Sequence, residues 1–134
     1  MNECHFIGRL VAEPVLEYYA VVNDKNPVLK SKPVPYVRFT LAVSRQHKKK
    51  DGSFKDETNF LDFEVWDTAA VTIASQCKVG EILIINRASA RSYTTESDGV
   101  KTNHTVFRVD KFNFQSTLFG RKKNGQKTKS SVDG

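Results

Sequence analysis

Two segments of strict two-residue alternation, Tyr36 to Arg45 and Phe60 to Trp66, constrain this chain more than anything else in it. Successive side chains on a strand point to opposite faces. Val37, Phe39, Leu41 and Val43 therefore share one face, and Arg38, Thr40, Ala42 and Ser44 the other, the pattern of a half-buried strand. In the second segment Leu61, Phe63 and Val65 form an apolar side that needs a core, while Phe60, Asp62, Glu64 and Trp66 point away from it. Burial in that same core cannot account for Phe60 and Trp66. Large rings on an open sheet face are surfaces on which nucleobases stack; rings on the second face of a strand also pack under loops or against subunits.

The residues between these segments strengthen the first reading. Asp51-Gly52 is a hairpin signal, and Arg45, Lys48, Lys49, Lys50 and Lys55 cluster around it with one aromatic, Phe54. Such a basic hairpin suits a flap over a phosphate backbone, although lysines alone read equally well as a solvated loop. Upstream, Cys4 to Val11 reads as a strand in which Gly8 marks a bulge or a sharp bend, and Glu13-Pro14 ends it. From there to Pro35 the prolines at 14, 27, 33 and 35 and the polar run Asn23 to Asn26 predict an extended connection. Within it, Val15 to Val22 has the composition of a short extra strand.

Downstream, Asp67-Thr68 offers N-cap chemistry to a helix over 69–78, whose Ala70, Ile73, Ala74 and Cys77 fall at helical spacing, with Gly80 as its stop. Its exposed positions are Thr72, Ser75 and Gln76 rather than arginines, so it is expected to plug the structure and not to read nucleic acid. Ile82 to Ile85 is apolar on both faces, as a central or interface strand is. Arg87, Ser89, Arg91 and Tyr93 then share one face, which suits a groove that follows phosphates and offers one stacking ring. A solvated face explains the two arginines but not the tyrosine. Asp98-Gly99 marks a second hairpin, and His104 to Gln115 the last strand.

Composition sets the limits. A chain of 134 residues with 39% hydrophobic content holds one domain, taken as 1–115, with a basic, flexible tail over 116–134. The net charge is +6, of which Arg121, Lys122, Lys123, Lys127 and Lys129 against Asp133 supply +4, leaving +2 for the domain. Clustering therefore matters more than bulk basicity. No stretch approaches the roughly 20 apolar residues of a membrane helix, and the first residues lack a signal peptide's basic start and cleavage site. Cytoplasmic, nucleoid-associated residence is expected. Cys4 and Cys77 read as reduced core thiols. His5, His47 and His104 have no ligand spacing, so no metal or other cofactor is expected.

Three strands, a helix and two strands is the order of the five-stranded oligonucleotide/oligosaccharide-binding barrel, an all-β fold with a short helix between strands three and four and long hairpin loops. Phe6-Ile7-Gly8-Arg9-Leu10, Glu13-Pro14, Val37 to Val43, Thr58-Asn59-Phe60, Lys78-Val79-Gly80 and Arg91-Ser92-Tyr93 to Asp98-Gly99 occur in the order in which similar pieces occur in bacterial-type single-stranded DNA-binding proteins. The chain resembles that family over roughly residues 1 to 115. The resemblance implies stacking aromatics at Phe60, Trp66 and Tyr93, a weaker one near His47, and a homotetramer. Three features depart from it: Asp62 and Glu64 among the rings, the long first connection, and the ending Lys127 to Gly134 in place of an acidic, Phe-terminated tip. Recruitment of protein partners is therefore not carried over.

The expected function is non-enzymatic binding of single-stranded DNA with little sequence preference, protecting it during replication, recombination and repair. Bases would stack on Phe60, Trp66, Tyr93 and Phe54, with His47 assisting. Arg9, Arg38, Arg45, Lys48, Lys49, Lys55, Arg87, Arg91 and Lys101 would hold the backbone or, for Arg38, Arg87 and Arg91, neutralise Asp62 and Glu64. The alternative is an interaction or architectural subunit of a replication-restart assembly, with protein on the aromatic face. A nuclease using Asp62 and Glu64 for a metal would need further carboxylates that strand direction does not supply.

Overall fold

Six strands and one helix follow one another as β1 (Cys4–Leu10), β2 (Val15–Tyr19), β3 (Val34–Lys48), β4 (Phe54–Trp66), α1 (Thr68–Gln76), β5 (Ile82–Ser97) and β6 (Val100–Phe114). The computed structural model describes residues 1–20 and 33–115. The expected tail over 116–134 and the middle of the first connection lie outside the described residues.

Alternation in β3 and β4 has the predicted result. Val37, Leu41 and Phe63 are fully buried and Phe39 and Val65 nearly so. The two strands pair without a break from Tyr36 opposite Trp66 to Lys48 opposite Phe54. At their turn the Gly52 amide donates to the Lys49 carbonyl at 3.0 Å, and Gly52 adopts φ 90°. The second hairpin closes through Asp98 and Gly99 at φ 52° and 78°, the left-handed pair that a two-residue turn demands.

The hydrogen-bonded order is β1-β5-β6-β4-β3, and β1 returns to β3 with Arg9 opposite Ala42 and Leu10 opposite Leu41. That return closes the five-stranded barrel expected from the sequence, in which β4 and β6 meet in parallel with Glu64 beside Arg108. β2 is additional. It pairs along the same edge of β3, from Val15 opposite Arg38 to Tyr19 opposite Val34, inside the extended connection and within the segment Val15 to Val22 whose composition suits a short extra strand. The helix consequently follows the fourth strand in chain order, not the third. β2 lies at the margin of the sheet with Val15 and Tyr18 exposed, so it has little of the burial pattern that reveals a strand.

Two local expectations need correction. The register break in β1 falls at His5, between Cys4 and Phe6, and not at Gly8. Gly8 instead allows a close approach: a Cβ there would stand 2.9 Å from the Leu41 Cβ and 3.1 Å from the Ala42 carbonyl oxygen. Nor does the Asp67 side chain cap α1. Asp67 sits at φ 65°, ψ −147°, and its amide donates to the Pro35 carbonyl, so this residue makes the sharp reversal out of β4 instead.

The helix lies against β3, β2 and β4 and buries Ala70, Ile73 and, at its C-cap, Cys77. Inside the barrel Phe63 stacks on Phe39 at 5.5 Å and meets Phe6 edge-on at 5.3 Å, and Phe6 reaches Phe107 at 4.8 Å. Each large side chain buried in this way contributes about 1.5–3 kcal/mol. Burial, with the charge of Glu81, pushes the Cys77 thiol up to about 11. Cys4 is only half-buried, so one of the two cysteines is a core thiol.

Candidate nucleic-acid interface

The sheet face turned away from this core is built by register. β3 contributes Tyr36, Arg38, Thr40 and Ala42, and β4 sets Trp66, Glu64, Asp62 and Phe60 opposite them. β6 places Arg108 beside Glu64, and β5 brings Arg91 and Tyr93, with His104 of β6 opposite Tyr93.

The rings on this face differ in their surroundings. Phe60 is 66% exposed and Phe54, at the far end of the same strand, 61%. Trp66 lies six residues from Phe60, roughly 20 Å along the strand. It is half-buried, with ring centroids 4.4 Å from Tyr36 and 5.8 Å from Tyr19, and its buried indole nitrogen has no hydrogen-bond acceptor among the described residues. Trp66 is thus partly covered by its own chain and not bare. Tyr93 stacks on His104 at 4.9 Å, and its hydroxyl accepts a 2.6 Å hydrogen bond from Arg38. The Arg38 and Arg91 guanidinium carbons stand 5.5 and 5.4 Å from its ring centre, within cation–π range.

The two carboxylates that sit awkwardly among these rings are each neutralised. Asp62 accepts from Thr40 at 2.7 Å and faces Arg38 at 3.8 Å. Glu64 is 1% exposed and accepts from Arg91 Nε and Nη2 at 3.0 and 2.7 Å, from Arg108 Nε at 3.1 Å and from the Tyr36 hydroxyl at 3.3 Å. Burial, the largest single influence, would raise its carboxyl, but the hydrogen bonds and charges of Arg91 and Arg108 together outweigh it and hold the carboxyl below its ordinary value. Burial and the neighbouring Glu64 charge push the Tyr36 hydroxyl up, so it stays a donor. With both oxygens of Glu64 taken by guanidinium donors, the carboxylate has nothing left with which to bind a metal.

Arg87 takes no part in this neutralisation. It stands at the register shift in β5 and faces Asp110 at 3.9 Å. Arg9 donates to the Gly80 carbonyl while lying in register with Ala42, and so in line with Phe60. Arg45, His47, Lys48, Lys49 and Lys55 are exposed on the first hairpin, and Lys101 on the second, opposite Glu96. The structure therefore gathers Arg38, Arg91, Tyr93 and Trp66 around Glu64, with Phe60 at one end of that group, and carries Phe54 and the lysines away from it along the hairpin. Tyr36, His104 and Arg108 belong to the same face and escape the sequence reading. The period-two series His104, Val106, Arg108 on β6 was the available signal.

A model of the single-strand binding protein family matches residues 1–115. The chain is similar to a single-stranded DNA-binding protein of Aquifex aeolicus, 28% identical over 85 residues that make up 63% of this chain and 50% of that one. A second relative, single-stranded DNA-binding protein 2 of Clostridium acetobutylicum, is 28% identical over 115 residues, 85% of this chain and 76% of that one. The chain thus spans half the length of the Aquifex protein. Among solved structures, a deletion mutant of the single-stranded DNA-binding protein from Thermus aquaticus superposes with a TM-score of 0.68 at 16% identity, covering 91% of this chain and 52% of that one. The small single-stranded DNA-binding protein of Streptomyces coelicolor gives 0.60 at 17% identity over 88% and 99% of the two chains. A Plasmodium falciparum protein solved as a complex with single-stranded DNA gives 0.63 at 15% over 85% and 94%. Identities this low speak for the barrel alone, but the family match extends from before β1 to the last described residue, and with it the chain belongs to the single-strand binding protein family, in its bacterial form.

Proposed function

We propose that residues 1–115 bind single-stranded DNA without catalysis and with little sequence preference, protecting it during replication, recombination and repair in the nucleoid. The observation that carries this reading is Phe60, a ring 66% exposed on the same sheet face as Tyr93, Arg38 and Arg91. Bases stack on Phe60, Tyr93 and Phe54 and on the open side of Trp66, with His47 as a weaker platform. Arg9, Arg38, Arg45, Lys48, Lys49, Lys55, Arg87, Arg91 and Lys101 follow the backbone. Each stacked base is worth about 1–3 kcal/mol, whereas phosphate contacts act through counterion release and fade with salt. Titration of labelled single-stranded DNA, duplex and RNA oligomers over a salt series tests the proposal. Tight single-strand binding that persists at high salt is expected, and equal affinity for duplex DNA would refute it.

Ile7, 61% exposed on β1, lies beside the partly exposed Ile82 and Ile84 of β5, an apolar surface that supports assembly into a homotetramer. A sedimentation mass equal to one chain would count against that.

One observation favours a second reading, in which the chain is an interaction subunit of a replication-restart assembly. The Trp66 ring packs against Tyr36 and Tyr19, and among the described residues its buried N–H has no hydrogen-bond partner, as it would where a partner protein supplies the acceptor. Trp66 is the single tryptophan, so its fluorescence decides: quenching by oligo-dT belongs to the first reading and its absence to the second.

A further inference from the structure

At the middle of the outward face a carboxylate is shut away from water while the two cations that bind it are not. Glu64 is 1% exposed, whereas the side chains of Arg91 and Arg108 are 42% and 47% exposed. Arg91 spends Nε and Nη2 on Glu64. Arg108 spends only Nε, so both its terminal nitrogens lack a hydrogen-bond partner among the described residues. A guanidinium carries five N–H donors in one planar fork, so Glu64 engages only a minority of this pair's donors while both side chains stay partly exposed. The three charges sum to +1, and without Glu64 the two cations would repel each other.

Position adds to this chemistry. Phe60 stands four residues from Glu64 along β4, roughly 13 Å, and Trp66 two residues the other way, roughly 7 Å. The guanidinium pair thus lies between the two ring platforms of one strand. Ordering a long side chain on binding costs affinity, and folding onto Glu64 has already ordered these two.

We infer that Arg108 and Arg91, locked side by side on Glu64, form a preorganised phosphodiester-binding subsite between Phe60 and Trp66, with Glu64 as its positioning residue. The inference rests on the single-strand reading above and adds Arg108 to the contact surface.

The test is fluorescence anisotropy of the full chain with labelled oligo-dT across a sodium chloride series, with a circular dichroism melt of each variant. Arg108→Gln lowers the slope of log K against log salt by about 0.7, the value of one phosphate on a single strand. Lys78→Gln, exposed beyond the helix and outside this face, leaves the slope unchanged. Arg108→Lys keeps the charge and therefore the slope, but it loses the Nε bond to Glu64 and binds roughly two- to tenfold more weakly. It also keeps a cation beside the buried carboxylate, so it decides the matter should Arg108→Gln fail to fold. An unchanged slope and affinity in Arg108→Gln, or an Arg108→Lys variant indistinguishable from the parent, overturns the subsite while the parent still binds. A parent chain that does not bind oligo-dT overturns the functional reading and the subsite together.

Discussion

Arg91→Ala probes the electrostatics of the outward face in the absence of any nucleic acid. Stripping the partner from a buried charge costs about 3–5 kcal/mol. Here Glu64 would keep Arg108 at 3.1 Å and the Tyr36 hydroxyl at 3.3 Å, and the Arg91 side chain is 42% exposed, so solvent already screens part of its share. The expected loss is accordingly smaller, about 2 kcal/mol, or about 8 °C in melting temperature for a domain of this size. The pH dependence identifies the source. A carboxyl held below its unfolded value lends stability above that value, ordinarily about 4.3 for glutamate, and loses it as the pH falls through its folded one. In Arg91→Ala burial faces less opposition, the Glu64 carboxyl rises, and the variant has less to lose on acidification. The gap between parent and variant is therefore flat near neutrality and closes as the pH falls through the carboxylate range. Urea unfolding followed by circular dichroism at pH 7, 5, 4 and 3 measures it. A gap below about 0.5 kcal/mol at pH 7, or one that does not change with pH, would refute the reasoning. Glu64→Leu is the companion: both arginines can turn outward into water, as the carboxylate cannot, so this variant is expected to lose less than Arg91→Ala.

Further outcomes follow from other positions. Asp67→Gly removes a side chain from a backbone region costing about 1–3 kcal/mol for non-glycine residues and forfeits no capping bond, so after the entropic cost of glycine a gain of about 1 kcal/mol in urea unfolding is expected, and a loss would count against it. Gly8→Ala drives a methyl group to 2.9 Å from Leu41 Cβ and 3.1 Å from a backbone oxygen, and a destabilisation of about 1–3 kcal/mol is expected in a thermal melt. Phe60→Ala leaves the melting temperature nearly unchanged and weakens oligo-dT binding by about 1–3 kcal/mol at high salt, because this ring is mostly in solvent. Trp66→Ala also breaks the cluster with Tyr36 and Tyr19, so it lowers both stability and affinity; equal behaviour of the two variants in melting and titration would contradict the difference in their surroundings.

What could be read in advance depended on how far apart the deciding residues lie. Alternation from Val37 to Val43 is complete within one strand, and Asp51-Gly52 and Asp98-Gly99 within one turn, so those elements stand where the sequence puts them. β2 has the right residues, but its apolar side chains stay largely exposed along the margin of β3, and burial is what a periodic pattern reports. Asp67 has the chemistry of a cap; the reversal from β4, tied to Pro35 across the sheet, gives it a backbone conformation in which that chemistry is unused. The site follows the same logic. Exposure of Phe60 follows from its own strand, while the cover over Trp66 comes from Tyr36, its partner only once the register is known. Glu64 is the extreme case. Its direction is legible from Phe63 and Val65, but its ionisation and burial are decided by Arg91 and by Arg108, the latter 44 residues away and brought alongside by a parallel pairing of two residues. A carboxylate that reads as a flaw in a face of rings and guanidinium groups is, once that pairing exists, what holds two of those cations in place.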